Sequence, residues 1–391
     1  MGRWFQDLSK SSAVAGCVAV LIGFTGTVFV VFLAAQKLGA TPAQTGSWIL
    51  ALGLGMAVST IILTLWTRMP ILTAWSTPGA ALLAGVSGLG LAEAVGAFLL
   101  CGLLILIAGL TGWFTRIMDR IPLAVASALL AGVLARFGLD AVLTLQSTPL
   151  LAVALLVAYL IGRRFWMRYA GVLMIAVGVV VALLEGRIHA EGVQLVPAAL
   201  VWVTPVFSWQ ALLGVGLPLF LVTMASQNLP AVAAQRAMGF AAPVSRILAV
   251  TGLATLLTAP FGGYTIGLAA FTGTICMGPE AHPNPARRYP SALVAALIYL
   301  VLGLLGMVFA GLFLAFPRGL VAGVGGLALL SSLAGGLASS LKENREDRTR
   351  DAAMLTFLVT LSGIGFLGLA SPFWGALAGA MALMMQNYRS K

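Results

Sequence analysis

Pro70-Ile71-Leu72-Thr73-Ala74-Trp75-Ser76-Thr77-Pro78-Gly79 and Pro260-Phe261-Gly262-Gly263-Tyr264-Thr265-Ile266-Gly267 decide how this chain folds. Each puts proline, glycine and hydroxyl side chains where an apolar segment should run on. Ser76 or Thr77 followed by Pro78 reads as an N-cap with proline in the first helical turn, opening a short helix to about Gly88. At 1.5 Å per residue such a helix covers about half of the ~30 Å hydrocarbon core, so it starts near mid-membrane. Irregular backbone survives at that depth only when it is buried in protein or lines a cavity. The residues ahead of each half-helix are therefore expected to be extended and paired with one another. Two tips meeting from opposite sides aim unsatisfied N–H groups and partial positive charge at a shared space, which favours an anion. The plainer alternative is that Pro78 and the Gly262-Gly263 pair kink two long helices.

Composition supplies the membrane. The 391 residues are 60% hydrophobic and 8% charged, with a mean hydropathy of +1.05, against about 25% charged residues in a soluble domain. Disordered and nucleic-acid-binding chains are excluded, and the net charge of +11 reflects basic loops on the cytoplasmic side. Breaks in the apolar pattern leave segments at 14–35, 44–66, 76–90, 92–113, 122–138, 148–162, 170–185, 211–234, 244–259, 266–278, 290–316, 319–340, 352–370 and 372–388. The reading is an all-α polytopic membrane protein of fourteen spans. With the amino terminus inside, eighteen basic residues fall on the inner side and only Lys37, Arg136, Arg187 and Arg318 on the outer. Fourteen divides into seven and seven, and an odd number per half makes a repeated half lie upside down, a transporter arrangement. Ala34-Ala35-Gln36-Lys37 ends the first span and Ala233-Ala234-Gln235-Arg236 the eighth.

Cys17, Cys101 and Cys276 all sit in apolar stretches and read as small packing residues, with no spacing that offers a metal site. No metal or other cofactor is expected. Neither a catalytic constellation nor a GxxxxGK[ST] phosphate loop occurs, so neither enzyme chemistry nor ATP-driven pumping is expected. Span 8 is the most polar: Thr223, Ser226 and Gln227 fall at i, i+3 and i+4 on one helical face, with Asn228 beside them. That face either bonds to neighbouring helices or touches a ligand. Trp75 could lie against an aromatic ring or fill the core. Phe24, Thr25, Gly26 and Thr27 allow close backbone approach on span 1, or simply pack. Glu280 and His282, just beyond span 10, are the nearest titratable groups for proton coupling, but read more readily as a loop acid and a turn histidine beside Pro283 and Pro285, and the proton could travel on the substrate itself.

Thr73-Ala74-Trp75-Ser76-Thr77-Pro78-Gly79, Val222-Thr223-Met224-Ala225-Ser226-Gln227-Asn228-Leu229-Pro230 and Gly278-Pro279-Glu280-Ala281-His282-Pro283 resemble the signature stretches of the benzoate/proton symporter (BenE) family. The resemblance covers essentially the full chain. It implies a bacterial inner-membrane, multi-pass carrier with both termini cytoplasmic, similar in fold to uracil permease and the sulfate-type anion carriers. Short β-strands would precede the half-helices of spans 3 and 10. Residues 13–115 and 211–316 would form a core, and residues 121–187 and 318–388 a gate. Substrate would sit between the two half-helices, against spans 1 and 8. Trp75, Ser76, Thr77, Gly79, Gly26, Thr223, Ser226, Gln227, Asn228, Tyr264 and Thr265 are the candidate contacts. The implied activity is uptake of benzoate or a similar aromatic carboxylate with a proton, the alternative being an anion channel or uniporter of the same fold. The partners are then that small acid, the proton and the lipid bilayer, without nucleic acid, and a homodimer is compatible with this reading.

Overall fold

The computed structural model describes residues 6–86, 88–117, 123–188, 193, 195–341, 347–367 and 369–388, which are mostly helical. The first half contains α1 (Lys10–Lys37), α2 (Pro42–Thr67), β1 (Thr73–Trp75), α3 (Thr77–Ala84), α4 (Leu91–Thr111), α5 (Leu123–Ser147), α6 (Pro149–Phe165) and α7 (Ala170–Leu184). The second contains α8 (Trp209–Ala237), α9 (Val244–Thr258), β2 (Ile266–Leu268), α10 (Phe271–Met277), α11 (Tyr289–Leu304), α12 (Gly306–Ala315), α13 (Arg318–Ser340), α14 (Asp347–Ser362) and α15 (Ser371–Tyr388). Eight helices among the described residues are long and apolar enough to cross a membrane, and the chain is a multi-pass membrane protein.

Local sequence explains where these elements begin. Ser9 and Thr41 open α1 and α2 with reciprocal caps: their hydroxyls accept from the amides of Ser12 and Gln44, whose side chains accept from the cap amides in return. The helices preceding both strands end on a residue in the left-handed region, Arg68 (φ 58°) after α2 and Gly262 (φ 95°) after α9. Only the second demands glycine: a Cβ on Gly262 would run into the Trp48 indole.

β1 and β2 pair antiparallel, with Thr73 opposite Leu268, Ala74 opposite Gly267 and Trp75 opposite Ile266. Ser76 N–H donates to Thr265 O and Ala269 N–H to Leu72 O, both at 2.9 Å, extending the ladder at each end. α3 and α10 then lead away from this crossing as short helices. The most extensive helix contacts are α5 with α13, α4 with α9, α2 with α11, α14 with α15, and α6 with α7. Small residues bring α4 and α9 to backbone contact: a Cβ on Gly252 would lie 2.5 Å from Leu106 N, and one on Gly109 would strike Ala249 N.

Several expectations need correction. α3 ends at Ala84, with Gly85 as its C-cap, rather than near Gly88. The segment at 266–278 opens as strand and becomes helix only at Phe271. The segment at 290–316 is two helices meeting at Leu305, and the one at 352–370 is helical only to Ser362. α5 runs nine residues past its expected end to Ser147, so Arg136 lies within a helix, four residues from Asp140 on the same exposed face. α8 carries π-helical turns at Leu212–Gly216 and Met224–Asn228. Cys17 is exposed, whereas Cys101 and Cys276 are buried. Arg3, Arg120, Lys342, Arg345, Arg389 and Lys391, all expected on the inner side, fall outside the described residues.

Candidate functional site

The strand crossing is built from polar groups that hold each other in a buried setting, as polar groups removed from water require. On one side lies α2: Thr60 Oγ1 accepts from Thr73 N–H at 3.0 Å, and the Thr73 hydroxyl lies 2.7 Å from Ser59 Oγ and 2.8 Å from Thr60 Oγ1. On the other lies α9, where Thr255 Oγ1 accepts from Ile266 N–H at 3.0 Å. Neither threonine was singled out from sequence. The signal was present: a threonine stands thirteen residues before the strand amide it binds in the first half and eleven before in the second.

α8 fastens the crossing from a third direction. Gln227 Nε2 donates to Trp75 O at 3.2 Å and Ala74 O at 3.3 Å, while Asn228 Oδ1 accepts from Leu268 N–H at 2.9 Å. One amide therefore holds β1 and its neighbour holds β2. On a regular α-helix, adjacent residues point about 100° apart. The π turn over Met224–Asn228 widens the helix so that both reach the strands. Thr223 and Gln227, four residues apart, both face residues 74–76, as their spacing implies, and the π turn brings Asn228 to the same crossing. Gly267 is required beside these amides: a Cβ there would sit 2.7 Å from Asn228 Oδ1 and 3.3 Å from Gln227 Nε2.

The α3 tip is tied to the same helix. Ser76 caps α3 by accepting from Gly79 N–H at 3.0 Å, and its hydroxyl lies 2.9 Å from Thr223 Oγ1. Pro78 in the first turn removes an amide that would otherwise lack a partner. A Cβ on Gly79 would lie 2.7 Å from Leu219 Cδ1, so the half-helix seats directly on α8. Thr77 is half-buried. The α10 tip differs, because its N-cap residue Ala270 makes no side-chain cap. Ser226 Oγ, one residue from Gln227, is buried and makes no hydrogen bond among the described residues.

α1 contributes an apolar wall. The Trp75 indole N–H donates to Thr27 Oγ1 at 2.9 Å, which fixes the ring against Phe24 with centroids 5.6 Å apart. Phe24 in turn lies 4.8 Å from Phe309 of α12. These tilted arrangements suit aromatic quadrupoles. Gly26 has nothing within 4 Å of where a Cβ would stand, and a Cβ on Gly171 of α7 would lie 3.6 Å from Gly26 Cα.

Trp75, Ser76, Gly79, Thr223, Gln227 and Asn228 thus come together at the crossing, with Ser226 adjoining. Thr265 joins them through its backbone carbonyl. Tyr264 does not: it is fully buried between Trp48 of α2 and Phe98 of α4, with centroids at 5.9 and 6.2 Å. Glu280 and His282 lie in the segment after α10. His282 Nδ1 accepts from Asn284 N–H at 3.0 Å, and Arg288 binds that segment through His282 O at 2.8 Å, Met277 O at 2.7 Å and Pro283 O at 3.3 Å. His282 is therefore part of a folded turn. No group of three or more His, Cys, Asp or Glu side chains able to hold a metal occurs among the described residues.

Comparison with known proteins agrees with this architecture. A family model described as benzoate membrane transport protein (BenE) matches residues 6–385. The inner membrane protein YdcO of Escherichia coli (strain K12) is 45% identical over 97% of this chain and 97% of its own length. The benzoate membrane transport protein of Acinetobacter baylyi is 38% identical over 96% of this chain and 95% of its own. Among solved structures, the transmembrane domain of the cyanobacterial bicarbonate transporter BicA superposes with a TM-score of 0.66 at 15% identity, over 94% of this chain and 97% of that one. The murine Slc26a9 anion transporter in its inward-facing state superposes with a TM-score of 0.61 at 13% identity, over 97% of this chain and 68% of that one. At such identities these two structures establish the fold. The chain belongs to the BenE family of benzoate membrane transport proteins and is a membrane transporter, not an enzyme.

Proposed function

We propose that this protein carries benzoate or a similar aromatic monocarboxylate, with a proton, across the bacterial inner membrane by rocking a core of residues 13–115 and 211–316 against a gate of residues 121–187 and 318–388. The observation that carries the reading is the juxtaposition at the strand crossing of two chemistries. Both half-helix tips bring partial positive charge, and the first turn of α10 lacks a side-chain cap, which favours a carboxylate, while Trp75 with Phe24 supplies a face for an aromatic ring. The unpartnered Ser226 hydroxyl favours a ligand contact at this place. The Acinetobacter baylyi relative is named for benzoate transport and the Escherichia coli relative for the inner membrane, which supports both substrate class and location.

Fourteen spans in two inverted sets of seven fit this reading. The helix contacts keep their pattern when each span is exchanged for the one seven places along: span 4 on span 9 matches span 11 on span 2, span 6 on span 7 matches span 13 on span 14, and span 5 on span 12 maps onto itself. Thr60 and Thr255 bind equivalent strand amides, and the left-handed turns at Arg68 and Gly262 precede equivalent strands. With both termini cytoplasmic, the basic residues collect on the inner side.

Among the described residues no carboxylate is hydrogen-bonded into the crossing, and in this reading the proton crosses with the substrate carboxylate rather than on a dedicated acid. Glu280 and His282 are the other candidate carriers. Uptake of labelled benzoate into proteoliposomes under an inward proton gradient tests the function. The expected result is accumulation that a protonophore abolishes. No accumulation above protein-free liposomes overturns it, and currents far above carrier turnover would assign a channel.

A further inference from the structure

α1 is unevenly covered along its length. In its first half Lys10, Val14, Cys17 and Leu21 are exposed at helical spacing, with Val14 at 60% and Leu21 at 46%, whereas between Val28 and Ala35 every residue except Leu33 is buried. The exposed stripe begins at a cavity of about 380 Å³, within the roughly 300–1,000 Å³ of small-molecule sites. Val14 and Val18 of α1 form one apolar wall, Ile275 of α10 and Tyr169 beside α7 others, and Lys10 and Glu280 bring opposite charges to the lining. Six residues of helix separate Val18 from Phe24, about 9 Å along α1. The cavity therefore stands on the route between the strand crossing and the face carrying Lys10, and it borders both the core, through α1 and α10, and the gate, through Tyr169.

We propose that this cavity is a second, release-side binding site for the transported aromatic monocarboxylate, with the ring against Val14, Val18 and Ile275 and the carboxylate on the Lys10 ammonium. The inference rests on the function proposed above. An ammonium is the one lining group whose charge attracts a carboxylate, and the apolar walls on both sides suit the ring rather than a hydrated inorganic anion. Because its walls belong to both moving bodies, the site closes when the gate swings over this face.

Full-length protein in oriented proteoliposomes tests the site, with benzoate half-saturation measured from each face and uncharged benzamide as a competitor. On the face carrying Lys10, Lys10→Gln is expected to raise half-saturation about tenfold, the size of one charged hydrogen bond, with the opposite face unchanged and Lys10→Arg close to the unmodified protein. Val14→Trp fills the cavity without altering charge and should give the same one-sided rise. Benzamide should compete poorly with benzoate there until Lys10 is replaced. Unchanged half-saturation in both Lys10→Gln and Val14→Trp, or an equal rise on both faces, overturns the site while leaving the proposed function standing. Failure of the unmodified protein to move benzoate overturns the function and this site with it.

Discussion

Helices α1 and α8 flank the same pair of crossed strands with opposite chemistry. α8 offers Thr223, Gln227 and Asn228, each bonded to a half-helix cap or a strand. α1 offers Phe24 and Thr27, one packing on the Trp75 ring and the other accepting its N–H. The half-helix tips differ as well: Ser76 caps α3, whereas Ala270 leaves α10 without a side-chain cap. The crossing thus has a polar side and an aromatic side. A symmetric site would suit a small inorganic anion; one polar at one wall and aromatic at the other suits a molecule with a carboxylate at one end and a ring at the other.

The contrast can be broken most severely at the turn ahead of β2. Gly262→Ala forces a Cβ into the Trp48 indole in the left-handed region, and it should cost about 3 kcal/mol or more from strain and overpacking together. Detergent-solubilised protein would then lose its monodisperse elution profile, and an unaltered melting temperature would show that the Trp48 contact is not rigid.

Next in size is the polar side. Asn228→Ala leaves Leu268 N–H without its acceptor in a buried place, a cost of about 1–3 kcal/mol. Thermal unfolding should register it, with benzoate transport falling as the crossing loosens. Equal transport and equal melting would mean that α8 does not hold β2.

Thr60→Val and Thr255→Val sharpen the symmetric part of the account. Each removes the acceptor of one strand amide, and the two should destabilise by similar amounts, about 1–2 kcal/mol, in the same thermal assay. A large effect from one and none from the other would separate the halves. The aromatic side gives the smallest effect. Phe24→Leu removes a ring contact worth about 0.5–1.5 kcal/mol, so half-saturation should rise a few-fold for benzoate and stay level for an aliphatic acid of similar size. A parallel loss for both acids would assign Phe24 to packing alone.

Much of this is legible in the sequence itself. Ser76 and Pro78 announce the start of α3 because capping and proline act locally. Pairing of the residues before the half-helices followed from the absence of water in the bilayer core. The Met224–Asn228 π turn was not legible, since a widened turn leaves no mark in composition or hydropathy. Thr223 and Gln227 reach the first strand and its cap as their spacing implies, but Asn228 reaching β2 beside them does not follow from a regular helix. Tyr264 is among the candidate contacts that the resemblance implies. The extended backbone carries it to the far side of the crossing, between Trp48 and Phe98. The break at Leu305 and the late start of α10 were hidden for a related reason, because apolar residues fill strand, loop and helix alike inside a membrane protein.

The central claim is that an aromatic acid binds at the strand crossing with its carboxylate between the α3 and α10 tips. Anomalous scattering from 4-bromobenzoate bound to the full-length protein tests it most directly. The expected result is a bromine peak beside Trp75 and Phe24, with the carboxylate directed toward Ser226 and the first turns of α3 and α10. Bromine found only outside the crossing, with Ser226 and both tips empty, would contradict it.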